Sequence, residues 1–195
     1  MTAASLVVIG VDAGHDERAA CEHDALQLAD RISNVVYVSV HVITEPVPHY
    51  AAVIEAAIPP TEDVLGSVAA AIVVADADEP IDQTTPVGRI AADHRARRNG
   101  RLIHFPGQHR LRGTIPIAHI TTLSAITTVD CLGEQPGPDA VVRTQDFVRP
   151  MFRNGTVVLT IQPFDGADQY IPFEQPNPHR CCTNHGHAFI TTAVV

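Results

Sequence analysis

Residues 5–43 read SLVVIGVDAGHDERAACEHDALQLADRISNVVYVSVHVI, and their pattern decides the fold. Ser5–Val11 is an apolar run ended by Asp12-Ala13-Gly14, which reads as a buried strand entering a turn. Between Asp16 and Ile32, residues Cys21, Ala25, Leu28 and Ile32 recur at helical spacing on one face, with acids in the first turns. Val35–Ile43 is rich in β-branched residues and alternates with period two. Strand, amphipathic helix and strand make a βαβ unit, for which a right-handed parallel crossover is favoured.

Outward from this unit, Tyr50–Ala57 suggests a short helix stopped by Pro59 and Pro60. Thr61, followed by Glu62 and Asp63, is placed to cap another helix reaching about Ala69. Ala71–Ala75 has the look of a third buried strand. Thr85 before Pro86 starts a helix, Asn99-Gly100 stops it, and Arg101–Phe105 is a fourth strand. From Pro106 onward the sequence predicts no helix, and Ile115–Val129 reads as one or two strands. Asn154-Gly155 between Phe147–Arg153 and Thr156–Gln162 predicts a hairpin, and Asp165-Gly166 a second one onto Gln169–Phe173. The expectation is an α+β protein. It has an α/β (βαβ) portion at 1–105 and a mainly antiparallel β portion at 106–195, and the two can pack as one domain.

Val7-Val8-Ile9-Gly10-Val11-Asp12, the alanine-rich helix after it, and Val36–Glu45 ending in His41-Val42-Ile43-Thr44-Glu45-Pro46 resemble the start of universal stress proteins. The resemblance covers about residues 5–46. It implies the opening strand–helix–strand of an adenine-nucleotide-binding α/β fold, with Asp12 at the position that lines the nucleotide pocket. The later glycine-rich phosphate motif of that family has no counterpart in this sequence.

Bulk properties set further bounds. In 195 residues all 13 basic side chains are arginine, and the formal net charge is −9. Mean hydropathy is +0.07 and charged residues are 18%, below the roughly 25% usual for soluble domains. No apolar run reaches the ~18 residues of a bilayer span. The N-terminus lacks the positive region of a signal peptide, and four cysteines are too few for a disulfide scaffold, so a cytoplasmic or other intracellular setting is expected.

The densest chemical cluster is His179-Arg180-Cys181-Cys182-Thr183-Asn184-His185-Gly186-His187. On a strand His185 and His187 share a face, and a turn at Thr183-Asn184 could bring Cys181 or Cys182 to the same ion. Thiolate and imidazole are the ligands zinc prefers, with Cys131, Asp130, His119 or His109 as a fourth. The bland alternative is a structural or solvated cluster, since no Cys-x-x-Cys accompanies it. A structural tetrahedral zinc site fits better than a hydrolytic one, because no general base sits nearby.

Charge is unevenly spread. Residues 1–88 hold two arginines against 14 acids, whereas Arg89, Arg95, Arg97, Arg98, Arg101, Arg110 and Arg112 crowd 89–112 against Asp93 alone. This belt, with His94, His104 and His109, is the one candidate for nucleic acid. Its single aromatic residue, Phe105, and the acidic first third of the chain favour pairing within or between copies instead. Asp12, His15 and Asp16 gather where the first strand ends, an edge that favours ligands in open sheets but is equally a turn and helix start. No Walker loop, G-x-G-x-x-G, G-x-S-x-G or H-E-x-x-H is present. The leading expectation is a non-catalytic structural or assembly subunit of a homo-oligomer or larger particle, of the phage or viral kind. A zinc-binding protein and a small-ligand or nucleotide-binding protein are the alternatives.

Overall fold

The computed structural model describes residues 6–76, 78–133, 135–164 and 168–175. The chain opens with β1 (Val7–His15), α1 (Arg18–Ala29) and β2 (Val35–Ile43), as the opening pattern predicts. Next comes β3 (His49–Ala56), where the sequence suggests a helix. Almost every residue of β3 is buried, because it lies mid-sheet with helices on both faces. A strand covered on both sides is continuously apolar, and periodicity cannot separate it from a buried helix.

The first half continues with α2 (Glu62–Gly66), β4 (Ala71–Asp76), α3 (Pro86–Arg95) and β5 (Arg101–His104). Pro86 opens α3, and Thr85 Oγ1 accepts from the Gly88 N–H at 3.1 Å, so the predicted start holds. β1 and β2 are both antiparallel to β3, which lies between them, and are therefore parallel to each other without being neighbours. β4 pairs with the outer side of β1, and β5 with the other side of β2. On one face Val7, Ile9, Val38, Val40, Ala52 and Ile54 pack against Cys21, Ala25 and Leu28 of α1. On the other, Val8, Ile43, Ala51 and Val53 pack against Ile90 and Ala91 of α3.

The second half adds β6 (Thr114–Pro116), α4 (Ile117–Leu123), β7 (Thr128–Cys131), β8 (Val141–Arg143), β9 (Met151–Arg153), β10 (Thr156–Pro163) and β11 (Gln169–Pro172). Helix α4 corrects the all-strand expectation for 115–129. Four of its seven residues are β-branched, but Ile117, Ile120 and Leu123 fall at helical spacing and pack on the core, with Ile120 fully buried. Tertiary burial outweighs the weak propensity. The hairpin at Asn154-Gly155 forms, with φ of 51° and 84° at the two turn residues, the double left-handed geometry that this dipeptide favours. β10 and β11 pair antiparallel as predicted, although the Asp165-Gly166 turn lies outside the described residues. The strands form one mixed, mostly antiparallel sheet in the order β4-β1-β3-β2-β5-β9-β10-β11-β8-β6, with β7 parallel to β10. This is the α+β class. Arg101↔Met151 joins β5 to β9 and so connects the two halves. Among the described residues no helix is long and apolar enough to cross a membrane.

Candidate functional site

Alternation along β2 places Tyr37, Ser39 and His41 on the face covered by α3. In register they oppose Glu55, Val53 and Ala51 of β3. His94, in the last turn of α3, reaches this face and has no solvent exposure. Ser39, His41 and Glu55 are 0%, 5% and 3% exposed, so a polar set occupies positions where apolar packing is the norm.

The set is one hydrogen-bonded chain. His41 Nε2 lies 2.8 Å from Ser39 Oγ, and Ser39 Oγ lies 2.7 Å from His94 Nδ1. His94 Nε2 is 2.9 Å from Glu55 Oε2, and Arg97 donates through Nη1 and Nη2 to the two Glu55 oxygens at 2.5 and 2.8 Å. Burial pushes the Glu55 carboxyl up, but the bonds from His94 and Arg97 outweigh it and hold the group at about 2. Burial lowers His41, with help from His94, to about 3. Burial also lowers His94, with Arg97 adding to it and the bond to Glu55 opposing it. At neutral pH the chain is a carboxylate and two uncharged imidazoles.

Those charges fix every proton. A carboxylate only accepts, so His94 carries its proton on Nε2 and its Nδ1 accepts the Ser39 hydroxyl. Ser39 Oγ in turn accepts from His41 Nε2–H. The bare nitrogen of His41 is then Nδ1, an acceptor. Gly100, at φ +125°, packs against the His41 ring, and a Cβ there would sit 2.7 Å from Cε1 and Nε2. A side chain at position 100 would therefore displace the ring from its present place.

His41 lines a cleft of about 440 Å³ together with Arg18, Tyr50, Asp93, Arg101 and Met151. The cleft forms because β5 begins at Arg101, opposite Val40, while β2 continues to Ile43 paired only with β3. Val42 and Met151, about half exposed, make part of its wall apolar. Arg101 is held by Glu22 and Glu174, and Arg18 donates to Glu174 at 3.1 Å. Ser39 resembles the serine of a hydrolytic triad only in its bonds. It is sealed from solvent, with its oxygen engaged by two imidazoles, so it cannot attack a substrate.

Elsewhere the predicted residues have structural partners. Asp12 Oδ1 accepts from the Gly14 N–H and from His49 Nε2, both at 3.0 Å, and Asp12 lines neither large cavity. His15 approaches Asp24 at 3.4 Å. The arginine belt is largely engaged within the chain. Arg97 and Arg101 pair with Glu55 and Glu22 of the acidic first third, Arg98 with Asp93, and Arg95 caps the carbonyls of Ala75, Asp76 and Glu79. The sequence puts Arg95, Arg97 and Arg98 in the last turn of α3, but the helix ends at Arg95, and Arg97 and Arg98 lie beyond it. Cys181, Cys182, His185 and His187 lie outside the described residues. Among the described residues no group of three or more His, Cys, Asp or Glu could hold a metal. A second cavity, of about 370 Å³, lies under α1, where burial and the nearby acids push the Cys21 thiol up to about 12 and keep it protonated.

The relay is absent from the sequence reading. Its signals were present, as a glutamate in an apolar run and Ser39 and His41 two apart in a strand, but their convergence with residue 94 is long-range. No family model, curated protein or solved structure matches this chain, so the reading of the site rests on its own geometry.

Proposed function

We propose that the chain is a small-molecule-binding protein whose ligand enters the His41 cleft and donates an O–H or N–H to His41 Nδ1. One observation carries this reading: the proton order of the buried chain leaves an acceptor at the wall of an open cleft. An unpaired acceptor in a half-apolar site favours a ligand that combines a donor with an apolar body, which Val42, Tyr50, Ile90 and Met151 would cover. Phenol and its methyl ether anisole form the test pair, followed by shifts of the His41 ring signals in NMR titrations. Phenol is expected to bind at least about fivefold tighter, the value of one net hydrogen bond, and to lose that advantage in His41→Phe. Equal binding of the two, or binding untouched by His41→Phe, would remove the proposal.

Association between copies is the second reading, favoured by β4. This strand ends the sheet and exposes Val74 to 44%. A sheet-ending strand with an outward valine is a template for pairing with another chain. Light scattering decides it: a dimer or larger species is expected, and Val74→Lys should return it to a monomer. A wild-type monomer at working concentration ends this reading.

A further inference from the structure

The relay does not stop at Glu55. Arg97, 77% buried by its side chain, grips both carboxylate oxygens while its guanidinium lies 4.5 Å above the Tyr37 ring and 4.6 Å from that of Phe152. Its backbone is left-handed, at φ 53°, and its carbonyl accepts the Gly155 N–H of the β9–β10 hairpin at 3.0 Å. The chain therefore crosses the α3 layer from the cleft to a cation anchored by the other half of the molecule.

We infer that Arg97, a positioning residue that lines no part of the cleft, sets whether the cleft wall presents a hydrogen-bond acceptor or a donor. This rests on the ligand reading above only for its consequence in binding. The argument is one of proton order. With Glu55 ionised, each group donates toward Glu55, and His41 Nδ1 is bare. If the group at 55 donates to His94 Nε2 instead, His94 carries its proton on Nδ1 and donates it to Ser39. Ser39 then turns its hydroxyl to His41 Nε2, and the His41 proton moves to Nδ1 and faces the cleft. The first arrangement carries an ionised carboxylate neutralised by Arg97, and the second takes up one further proton at position 55; in both, each buried polar atom from Ser39 to residue 55 has a partner. The bidentate pairing with Arg97 selects the first.

Two variants break the selection without removing the groups in between. In Glu55→Gln, Arg97 keeps the amide oxygen and turns the amide N–H₂ to His94. In Arg97→Met, the carboxyl loses its counter-ion and its O–H becomes the donor. Arg97→Lys restores a cation and serves as the rescue. Two-bond ¹H–¹⁵N spectra of the imidazoles read the tautomers directly. The wild type and Arg97→Lys are expected to show His41 and His94 protonated on Nε2, and the other two variants protonated on Nδ1. Phenol and pyridine N-oxide, equal in size and opposite in polarity, read the consequence. The wild type should prefer phenol by about fivefold and Glu55→Gln should prefer the N-oxide by a similar factor. If Glu55→Gln fails to fold, Arg97→Met decides. His41 on Nδ1 in the wild type, or an unchanged tautomer in a folded variant, overturns the inference. Tautomers that flip while neither probe binds sustain it and sink the ligand reading instead.

Discussion

The two faces of the first-half sheet are built from alternate residues of the same strands, yet they hold different kinds of core. Toward α1, Val38, Val40, Ala52 and Ile54 meet Cys21, Ala25 and Leu28 in a wholly non-ionised layer. Toward α3, Ser39, His41 and Glu55 meet His94. Apolar packing is non-directional and tolerates repacking at modest cost, whereas a buried polar chain works only when each donor meets its acceptor. The first face supplies stability, and the second fixes one arrangement of protons.

Adjacent residues of β3 give the largest test of this contrast. Glu55→Ala leaves His94 and Arg97 facing a void, and breaking a buried pair in this way is expected to lower unfolding free energy by about 3–5 kcal/mol in denaturant titrations. Ile54→Ala, one residue away on the other face, should cost about 2–4 kcal/mol through lost burial and a cavity. Replacing Ser39, His41, Glu55, His94 and Arg97 together by apolar residues of similar volume should cost less than Glu55→Ala alone, since no polar member of the chain is left stranded. A fivefold variant that is less stable than the single one would show that the two faces do not differ in this way.

Acid separates the faces next. Glu55 titrates at about 2 in the folded chain against an ordinary 4.5, so its contribution is present above pH 4.5 and is lost as pH falls toward 2. His41 adds to this from higher pH. It stays uncharged down to about 3 when folded but takes a proton near 6.5 when unfolded, so stability declines as pH falls from 6.5 to 3. Ile54→Ala should follow the wild-type pH curve at a constant offset. Glu55→Gln should flatten it below 4.5, and His41→Phe between 6.5 and 3. Parallel curves for all four proteins would refute the assignment of these charges.

Much of the fold was legible because it depends on local signals. The face of Cys21, Ala25, Leu28 and Ile32, the Thr85-Pro86 start of α3 and the Asn154-Gly155 turn each lie within a few residues, and each is realised. β3 and α4 were misread for the reason that hides the site. Their identity depends on what covers them, which is set by chain segments far away in sequence. Glu55 made β3 unlike an ordinary buried strand, and this discord in an apolar run, with Ser39 and His41 two apart in β2, was the available clue to the relay. His94 was grouped with the arginines around it by sequence neighbourhood, whereas its burial follows from the turn of α3 on which it sits.

The smallest expected effect belongs to a third histidine, at the rim of the same sheet. His49 directs Nδ1 to the Val47 carbonyl at 2.7 Å and Nε2 to Asp12 at 3.0 Å. Both partners accept, so the ring donates twice and holds an extra proton. The Val47 bond raises its pKa most, burial opposes, and Asp12 and Asp16 add to the rise. A raised value means that the unfolded chain releases the proton first. The contribution of His49 is therefore complete below its ordinary 6.5 and disappears as pH climbs through the folded value. This sign is opposite to that of His41, eight residues earlier. His49→Gln should lower the melting temperature slightly at pH 6 and by less at pH 9, since the charged ring's contribution fades as pH rises above 6.5. The same small loss at both pH values would mean that His49 is held by packing, and that only the α3 face of this sheet stores stability as protons.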